Sequence, residues 1–546
     1  MSGQGSVSRT ARITFGVGAT SVVGAIVAAG SALWAFVVAM ALLGTPLFAV
    51  MGGAAALAWM THKEPAQHRL MYLAPKILDT HFSDSPILVT IPLFTFVGYM
   101  LAEAKTPDRL VRAARAVLGW LPGGLAIVCV VASAVFTVLT GGSGVTIIAI
   151  GGLLYPSLRK QGYSDKFSLG LVTTGGSVGL LLPYSLPLLI FCLVASVDFT
   201  KAFKAVLLPG AFVVLLLSLY SGYVGTREGV PRERPRLREV LASLEDLKWE
   251  LFIPVLLVLG LGSGLTTVDE AAGLVAFYTV VIEFFVYKDL KWKKDLPGIV
   301  KGSMSLAGAI ILILSMANAL VFYFIDPKVR LPSEVLDLMI RLGIEHRWQF
   351  LIVMNLFLLV IGMLMEGFSA ILVSVPLILP FVADLGMRHP DEKMSPFQLA
   401  MIFLLNLEIA YCIPPLGLNL FIASFRFNRP VTSIYRVVMP FALILTGALV
   451  VVSYVPWLSD VLVKPDIAFY KEKSKREGLA PREAWMLECV QAVPNNPQPC
   501  SEEDRKNFPG GQLPQPTPQG GSEQPLDQDL PTPDAGCNPD LDDCDK

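Results

Sequence analysis

Runs of apolar residues, each about long enough to cross a bilayer as a helix, constrain this chain more than any other feature. Ala205–Tyr223, Leu251–Leu265, Ala271–Tyr287, Ser303–Ile325 and Val437–Val455 are such runs, near the ~20 residues that span a ~30 Å hydrocarbon core. Lipid offers the backbone no hydrogen-bond partner, so helices are the default spanning element. The ~10-residue alternating segments of a membrane barrel are missing. Composition agrees, since only 16% of the residues are charged against about 25% in soluble domains. Helical spans are expected near 20–44, 45–60, 84–102, 205–225, 250–265, 269–287, 301–325 and 434–456. Arg9 and Arg12 ahead of Ile13–Gly30 fit a signal peptide, but the apolar character resumes and runs to Trp59, so one or two retained spans are expected.

Two further regions read differently. Residues 123–157 and 350–385 are apolar stretches broken by Thr140-Gly141-Gly142-Ser143-Gly144 and by Glu366-Gly367-Phe368-Ser369. Each half is short for a span, as in a re-entrant helical hairpin with its tip at membrane depth. After each comes an apolar stretch cut by prolines, Leu182-Pro183-Tyr184-Ser185-Leu186-Pro187 and Ile413-Pro414-Pro415-Leu416-Gly417-Leu418-Asn419. Proline removes a donor from the helical ladder, so these are expected to be discontinuous helices. The spacings match: Pro183 to Pro209 and Pro414 to Pro440 are both 26 residues, and Gly142 to Pro156 and Gly367 to Pro380 are 14 and 13. The two regions therefore read as an internal repeat.

Lysine and arginine placement sets the orientation. With 227–250 taken as cytoplasmic, the segments 103–122, 158–168, 288–301 and 426–436 also fall inside, and this side carries 21 Lys and Arg against 11 in the opposite segments. One hairpin then enters from each side, the repeats are inverted, and the C-terminal tail lies outside. Cys489, Cys500, Cys537 and Cys544 all lie in that polar tail. In an oxidising compartment they form disulfides, and in a reducing one they are thiols; the topology supports the first. Residues 464–508 are expected to hold one short helix around Pro481–Val490, with disorder from 510 onward.

Inverted repeats with paired tips and paired breaks are the build of a secondary transporter. A broken helix leaves N–H groups at one end, suited to a carboxylate, and carbonyls at the other, suited to a cation. Gly141, Gly142, Ser143, Gly144 and Thr146 of the first tip, with Ser177, Gly179, Pro183 and Ser185 of the first break, form one expected half-site. Glu366, Gly367 and Ser369 of the second tip, with Pro414, Pro415, Gly417 and Asn419 of the second break, form the other. Ordinary packing glycines and kinks are the alternative for any single position. Glu366 and Glu408, ionisable at membrane depth, are candidates for cation binding or proton relay; for Glu408 a structural carboxylate is an equal alternative. Asp269 and Glu270 read as helix N-terminal residues, and Arg426 as a boundary marker. Thr106–Leu118, with Arg109, Arg112 and Arg115 opposed to Leu110, Val111, Ala114 and Leu118, suits a helix lying in the membrane surface. All five histidines fall outside the apolar runs, and no phosphate-binding loop is present. A net charge of −1 gives no basis for a nucleic-acid partner.

Over roughly 35–460 the sequence resembles the large membrane (M) subunit of TRAP transporters, the tripartite ATP-independent periplasmic transporters. The resemblance is carried by Pro92-Leu93-Phe94 through Gly98, Leu121-Pro122-Gly123-Gly124-Leu125-Ala126, the first tip and Leu182–Pro187, then by Asn406-Leu407-Glu408-Ile409 and Pro414–Phe421. It implies an all-α, polytopic, elevator-type secondary transporter of the bacterial inner membrane, not an enzyme, and needing no cofactor. Its partners would be a small four-helix Q subunit, a periplasmic substrate-binding P protein and membrane lipid. It implies import of an organic acid (a C4-dicarboxylate, keto acid or sugar acid) coupled to Na+, with Ser143, Ser369 and Asn419 as expected Na+ ligands. A stand-alone carrier of the same superfamily is the competing reading. The expected division is 1–34 N-terminal extension, 35–122 scaffold spans and surface arm, 123–204 first transport repeat, 205–349 scaffold, 350–430 second transport repeat, 431–457 last scaffold span and 458–546 periplasmic tail. Gly-Ser-Gly at the first tip, Pro183-Tyr184 at the first break and Glu366 depart from the family's usual paired serines, Pro-Pro and Asp.

Overall fold

The computed structural model describes residues 47–61, 86–231, 236–262, 265–325, 339–364, 367–414, 417–491 and 496–508. Among these, regular structure is entirely helical. The span expected at 20–44, the disorder expected from 510, Glu366, Pro415, Cys537 and Cys544 lie outside the described residues.

Helices α1 (Leu47–Thr61), α2 (Pro86–Glu103) and α3 (Thr106–Leu118) come first. A hairpin follows. Its first arm is α4 (Gly124–Thr140), and its second, α5, comprises Ser143–Thr146, a π-helical turn Ile147–Gly151 and Gly152–Lys160. The 17 residues of α4 reach only about 25 Å at 1.5 Å per residue, less than a bilayer core. An interrupted helix is next: α6 (Asp165–Gly175), a 3-10 turn Val178–Leu181, an extended stretch and α7 (Leu186–Ala195). The long α8 (Phe199–Arg227) carries Pro209. Then come α9 (Leu237–Gly262), α10 (Val268–Val281, continued by a π turn Ile282–Val286) and α11 (Leu296–Ile325). The order then repeats. Arms α12 (Arg347–Leu364) and α13 (Gly367–Arg388) precede the interrupted pair α14 (Pro396–Cys412) and α15 (Leu418–Phe427), and the long α16 (Val431–Tyr454) carries Pro440.

Local chemistry accounts for the ends. Ser164, Asp198 and Ser395 accept from first-turn amides as N-caps of α6, α8 and α14, and Thr267 with Glu270 closes a capping box on α10, as read for Glu270. Both breaks sit at proline. A residue before proline is driven from the helical region, and Leu182 (ψ 163°) and Ile413 (ψ 141°) are both extended.

By length and apolar content, five helical segments can cross a membrane: 165–195 with its break, α8, 296–316 of α11, α13 and α16. A sixth appears if α2 and α3, bent by 74°, count as one. Every residue of α14 is buried, so this helix lies at the centre, with α8, α12, α15 and α16 around it. Second halves pack crosswise: α7 of the first unit lies on α13 of the second, and α15 of the second lies on α5 of the first. Helices α1, α2, α10 and α11 pack on one another to one side.

Three expectations need correction. The span expected at 250–265 begins at Leu237, because the charged segment 237–249 continues as helix against α3. Arg109, expected on the exposed face of α3, is 6% exposed. It shares an i, i+4 stripe with Ala113 and turns inward to Glu250 (2.9 Å from Nε), Glu283 (3.4 Å) and Asp289. After the four-residue turn α17 (Trp457–Asp460), the tail holds three helices where one was expected: α18 (Lys464–Glu477), α19 (Arg482–Glu488) and α20 (Glu502–Asn507). Cys489 and Cys500 are joined in a disulfide.

Candidate functional site

The two interrupted helices meet through side chains. Ser177, in the bend after α6, donates from Oγ to Glu408 Oε1 on α14 at 2.7 Å. Asn419, in the first turn of α15, donates from Nδ2 to the same Ser177 Oγ at 2.6 Å. All three residues are essentially without solvent contact. Residues 177 and 419 come from breaks more than two hundred positions apart, so these bonds tie unit to unit.

Glu408 Oε2 and Asn419 Oδ1 have no hydrogen-bond partner, and neither do the buried hydroxyls of Thr174 in α6, Ser185 in the first break and Ser369 on α13. Buried polar atoms are nearly always paired, and leaving one unpaired costs roughly 1–3 kcal/mol. A carboxylate, an amide oxygen and hydroxyls, set beside a break that frees backbone carbonyls, form the oxygen set a hard cation takes.

Glycine lets the first tip approach the breaks. Gly141, in the left-handed region at φ 66°, makes the turn, and a Cβ there would lie 2.7 Å from Leu186 Cδ1 of α7. A Cβ on Gly144 would meet Ile422 of α15 at 2.7 Å, and one on Gly179 would meet Ala134 O of α4 at 2.2 Å. Thr137 Oγ1 bonds to Gly176 O (2.9 Å) and contacts Thr146 Oγ1 at 2.8 Å, pinning both arms of the hairpin to the bend. The carbonyl of Ser143 faces the same bend, 3.2 Å from where a Gly176 Cβ would stand. At the second tip, the amide of Gly367 donates to Tyr411 Oη of α14 at 3.1 Å. Gly417 begins α15 after Pro414, where a Cβ would lie 2.5 Å from Tyr411 O. Thus the first tip, both breaks and α14 form one cluster. Ser369 is buried on α13 and bonds to none of them.

Sequence reasoning passed over Thr137 and Tyr411. Each is a hydrogen-bonding side chain within an apolar run, one helical turn before a break-forming glycine or proline, and that position is the signal that could have found them. Glu408, a candidate outside the two expected half-sites, bonds to Ser177 of the first. Arg426, read as a boundary marker, donates from Nε to Ile148 O at 3.1 Å, tying α15 to the π turn of α5.

A short first hairpin, paired helix breaks and a buried oxygen cluster where the breaks meet define a polytopic membrane transport protein; the second hairpin departs from the short arms expected, since α13 with its 22 residues is long enough to span. Residues 33–458 match the family described as the DctM component of tripartite ATP-independent periplasmic transporters, and the chain belongs to this family. It is therefore a permease component and not an enzyme. The chain is 32% identical over 391 residues to the C4-dicarboxylate TRAP transporter large permease protein DctM of Pseudomonas aeruginosa, covering 71% of this chain and 88% of that one. It is 30% identical to the isethionate TRAP transporter permease protein DctMQ of Oleidesulfovibrio alaskensis, over 68% of this chain and 57% of that protein. It is 28% identical to the 2,3-diketo-L-gulonate large permease protein YiaN of Escherichia coli, over 69% and 85%. The crystal structure of the YdaH transporter of Alcanivorax borkumensis shares the fold, with a TM-score of 0.52 at 14% identity, over 77% of this chain and 98% of that one.

Proposed function

We propose that this chain is the Na+-coupled import permease of a tripartite system, moving a carboxylate or related organic acid across the inner membrane. The observation that carries this reading is the Ser177–Glu408–Asn419 junction with its unpaired oxygens. A cation there would bridge both breaks, so its binding would favour one arrangement of the two units. The N-terminus of α15, begun by Gly417, and that of α7, begun by Ser185, offer amides to a substrate anion. Ser143 and Ser369 belong to the two tips, and Glu366 precedes Gly367 of the second tip in the sequence. In this reading the two hairpins and broken helices move as an elevator against the remaining spans. The relatives named for C4-dicarboxylate, isethionate and diketogulonate support an anionic substrate class. The fused DctMQ relative supports a Q-type partner, and a P-type binding protein would deliver substrate.

The lysine and arginine bias supports inverted units and an outside tail, and the Cys489–Cys500 disulfide suits an oxidising periplasm. One Na+ moving inward down 100 mV supplies about 2.3 kcal/mol. Uptake by proteoliposomes holding this chain and its Q partner, with P protein loaded with candidate acids, tests the reading. It requires uptake that needs both an inward Na+ gradient and P protein. Uptake without P protein would instead make the chain a stand-alone carrier, and uptake driven by protons alone would refute the Na+ coupling.

A further inference from the structure

A second feature lies away from the helix breaks. A cavity of about 1090 Å³ opens between the start of α6, the end of α8 and the start of α16. One end is cationic. Lys166, Arg227 and Arg436 line it, all three are exposed, and none makes a hydrogen bond or ion pair among the described residues. Its two acids are already engaged. Asp165 accepts from Tyr155 Oη (2.5 Å) and from Arg429 (3.3 Å), and Glu228 accepts from the amide of Ser164 at 3.0 Å. The other end is apolar and aromatic, walled by Phe167, Tyr220, Tyr223 and Phe441. One turn beyond the cavity, Leu219 and Leu443 are 61% and 66% exposed on helices long and apolar enough to span the membrane. The apolar end therefore faces lipid, and the cationic end lies on the side with the lysine and arginine excess.

We propose that this cavity binds an anionic phospholipid, with its phosphate against Lys166, Arg227 and Arg436 and its acyl chain along Phe167, Tyr220 and Phe441. Three unpaired cations around an apolar cleft fit a molecule that carries negative charge and hydrocarbon together. A small soluble anion would satisfy only one end, and a zwitterionic lipid brings a cation to the same place. Basic pockets between membrane helices on the cytoplasmic side take such headgroups. Because α6 belongs to the first broken helix while α8 and α16 are the long helices beside it, an occupant would touch both.

Native mass spectrometry of the delipidated full chain, titrated with phosphatidylglycerol or phosphatidylethanolamine, tests the site. Phosphatidylglycerol is expected to bind saturably and preferentially. The combined variant Lys166→Gln, Arg227→Gln, Arg436→Gln is expected to weaken it by about fivefold per charge removed. Lys291→Gln, Lys293→Gln and Lys294→Gln together, on a separate exposed loop, should leave it unchanged. If the combined variant fails to fold, Arg227→Gln and Arg436→Gln are read singly. Equal phosphatidylglycerol binding by the cavity variants and the wild type would overturn the proposal. Glycerol phosphate or inorganic phosphate binding as tightly as the lipid would overturn it too, marking a soluble-anion site.

Discussion

Glu408 and Asn419 stand on opposite sides of the second break, and both reach Ser177 of the first. Leaving a buried polar group without its partner costs roughly 1–3 kcal/mol, or about five- to a hundredfold in affinity. Glu408→Gln and Asn419→Ala are each expected to raise the Na+ concentration needed for half-maximal uptake by that order, read from uptake at graded Na+. Ser177 and Asn419 are polar residues beside breaks in apolar runs, and the structure brings them into hydrogen-bond contact. Glu408 was not separable from a structural carboxylate, since its partner is 231 positions away. Arg109 was misplaced for the same reason: its three acids come from α9, the π turn after α10 and the loop beyond. Breaking a buried ion pair by removing one partner costs about 3–5 kcal/mol. Arg109→Ala should therefore lower the thermal midpoint sharply, while the exposed Arg112→Ala, paired with Asp246, should shift it little.

At the scale of elements, the hairpins and broken helices were legible because proline and paired glycines interrupt runs that otherwise read as spans. The interruptions needed no tertiary information, since pre-proline sterics alone end α14. The π turn at Ile147–Gly151 left no such mark, and neither did its tie to Arg426. The three helices of the tail were also underread, because short polar helices take their stability from packing. The meeting of hairpin and break is tight. Gly179→Ala would set a methyl 2.2 Å from Ala134 O, which is backbone and must be displaced. Overpacking of this kind costs about 1–3 kcal/mol. The variant should unfold at lower temperature and slow transport, whereas Gly273→Ala, with open space around it, should do neither.

Across the whole molecule, the tail joins parts that the chain separates. Asp466 on α18 pairs with Lys201 and Lys204 at the start of α8, and Glu488 at the end of α19 pairs with Lys393 before α14. Arg505 donates to the carbonyls of Gly386 and Met387 at the end of α13. This cap lies beyond the family match, which ends at 458. Closing a loop of its size with a disulfide contributes on the order of 3 kcal/mol. Cys489→Ser with Cys500→Ser should thus expose 464–508 to trypsin faster than in the wild type. Acid should loosen the cap as well. Asp504, though burial pushes its carboxyl up, is held below the usual carboxylate range by the Lys471 and Ser501 bonds. A depressed folded-state pKa gives stability that is present above the ordinary carboxylate value of about 4 and lost as pH falls below it. Amide protection of 464–508, measured by hydrogen exchange across that window, should fall as pH falls.

The junction of the two breaks is the centre of this account, and binding of radiolabelled Na+ to the purified chain tests it most directly. Saturable binding that Ser177→Ala and Asn419→Ala each weaken about tenfold or more, as expected for a lost ligand or ligand-orienting bond, is the predicted result. Binding equally tight in wild type and both variants would place the cation elsewhere and contradict the account.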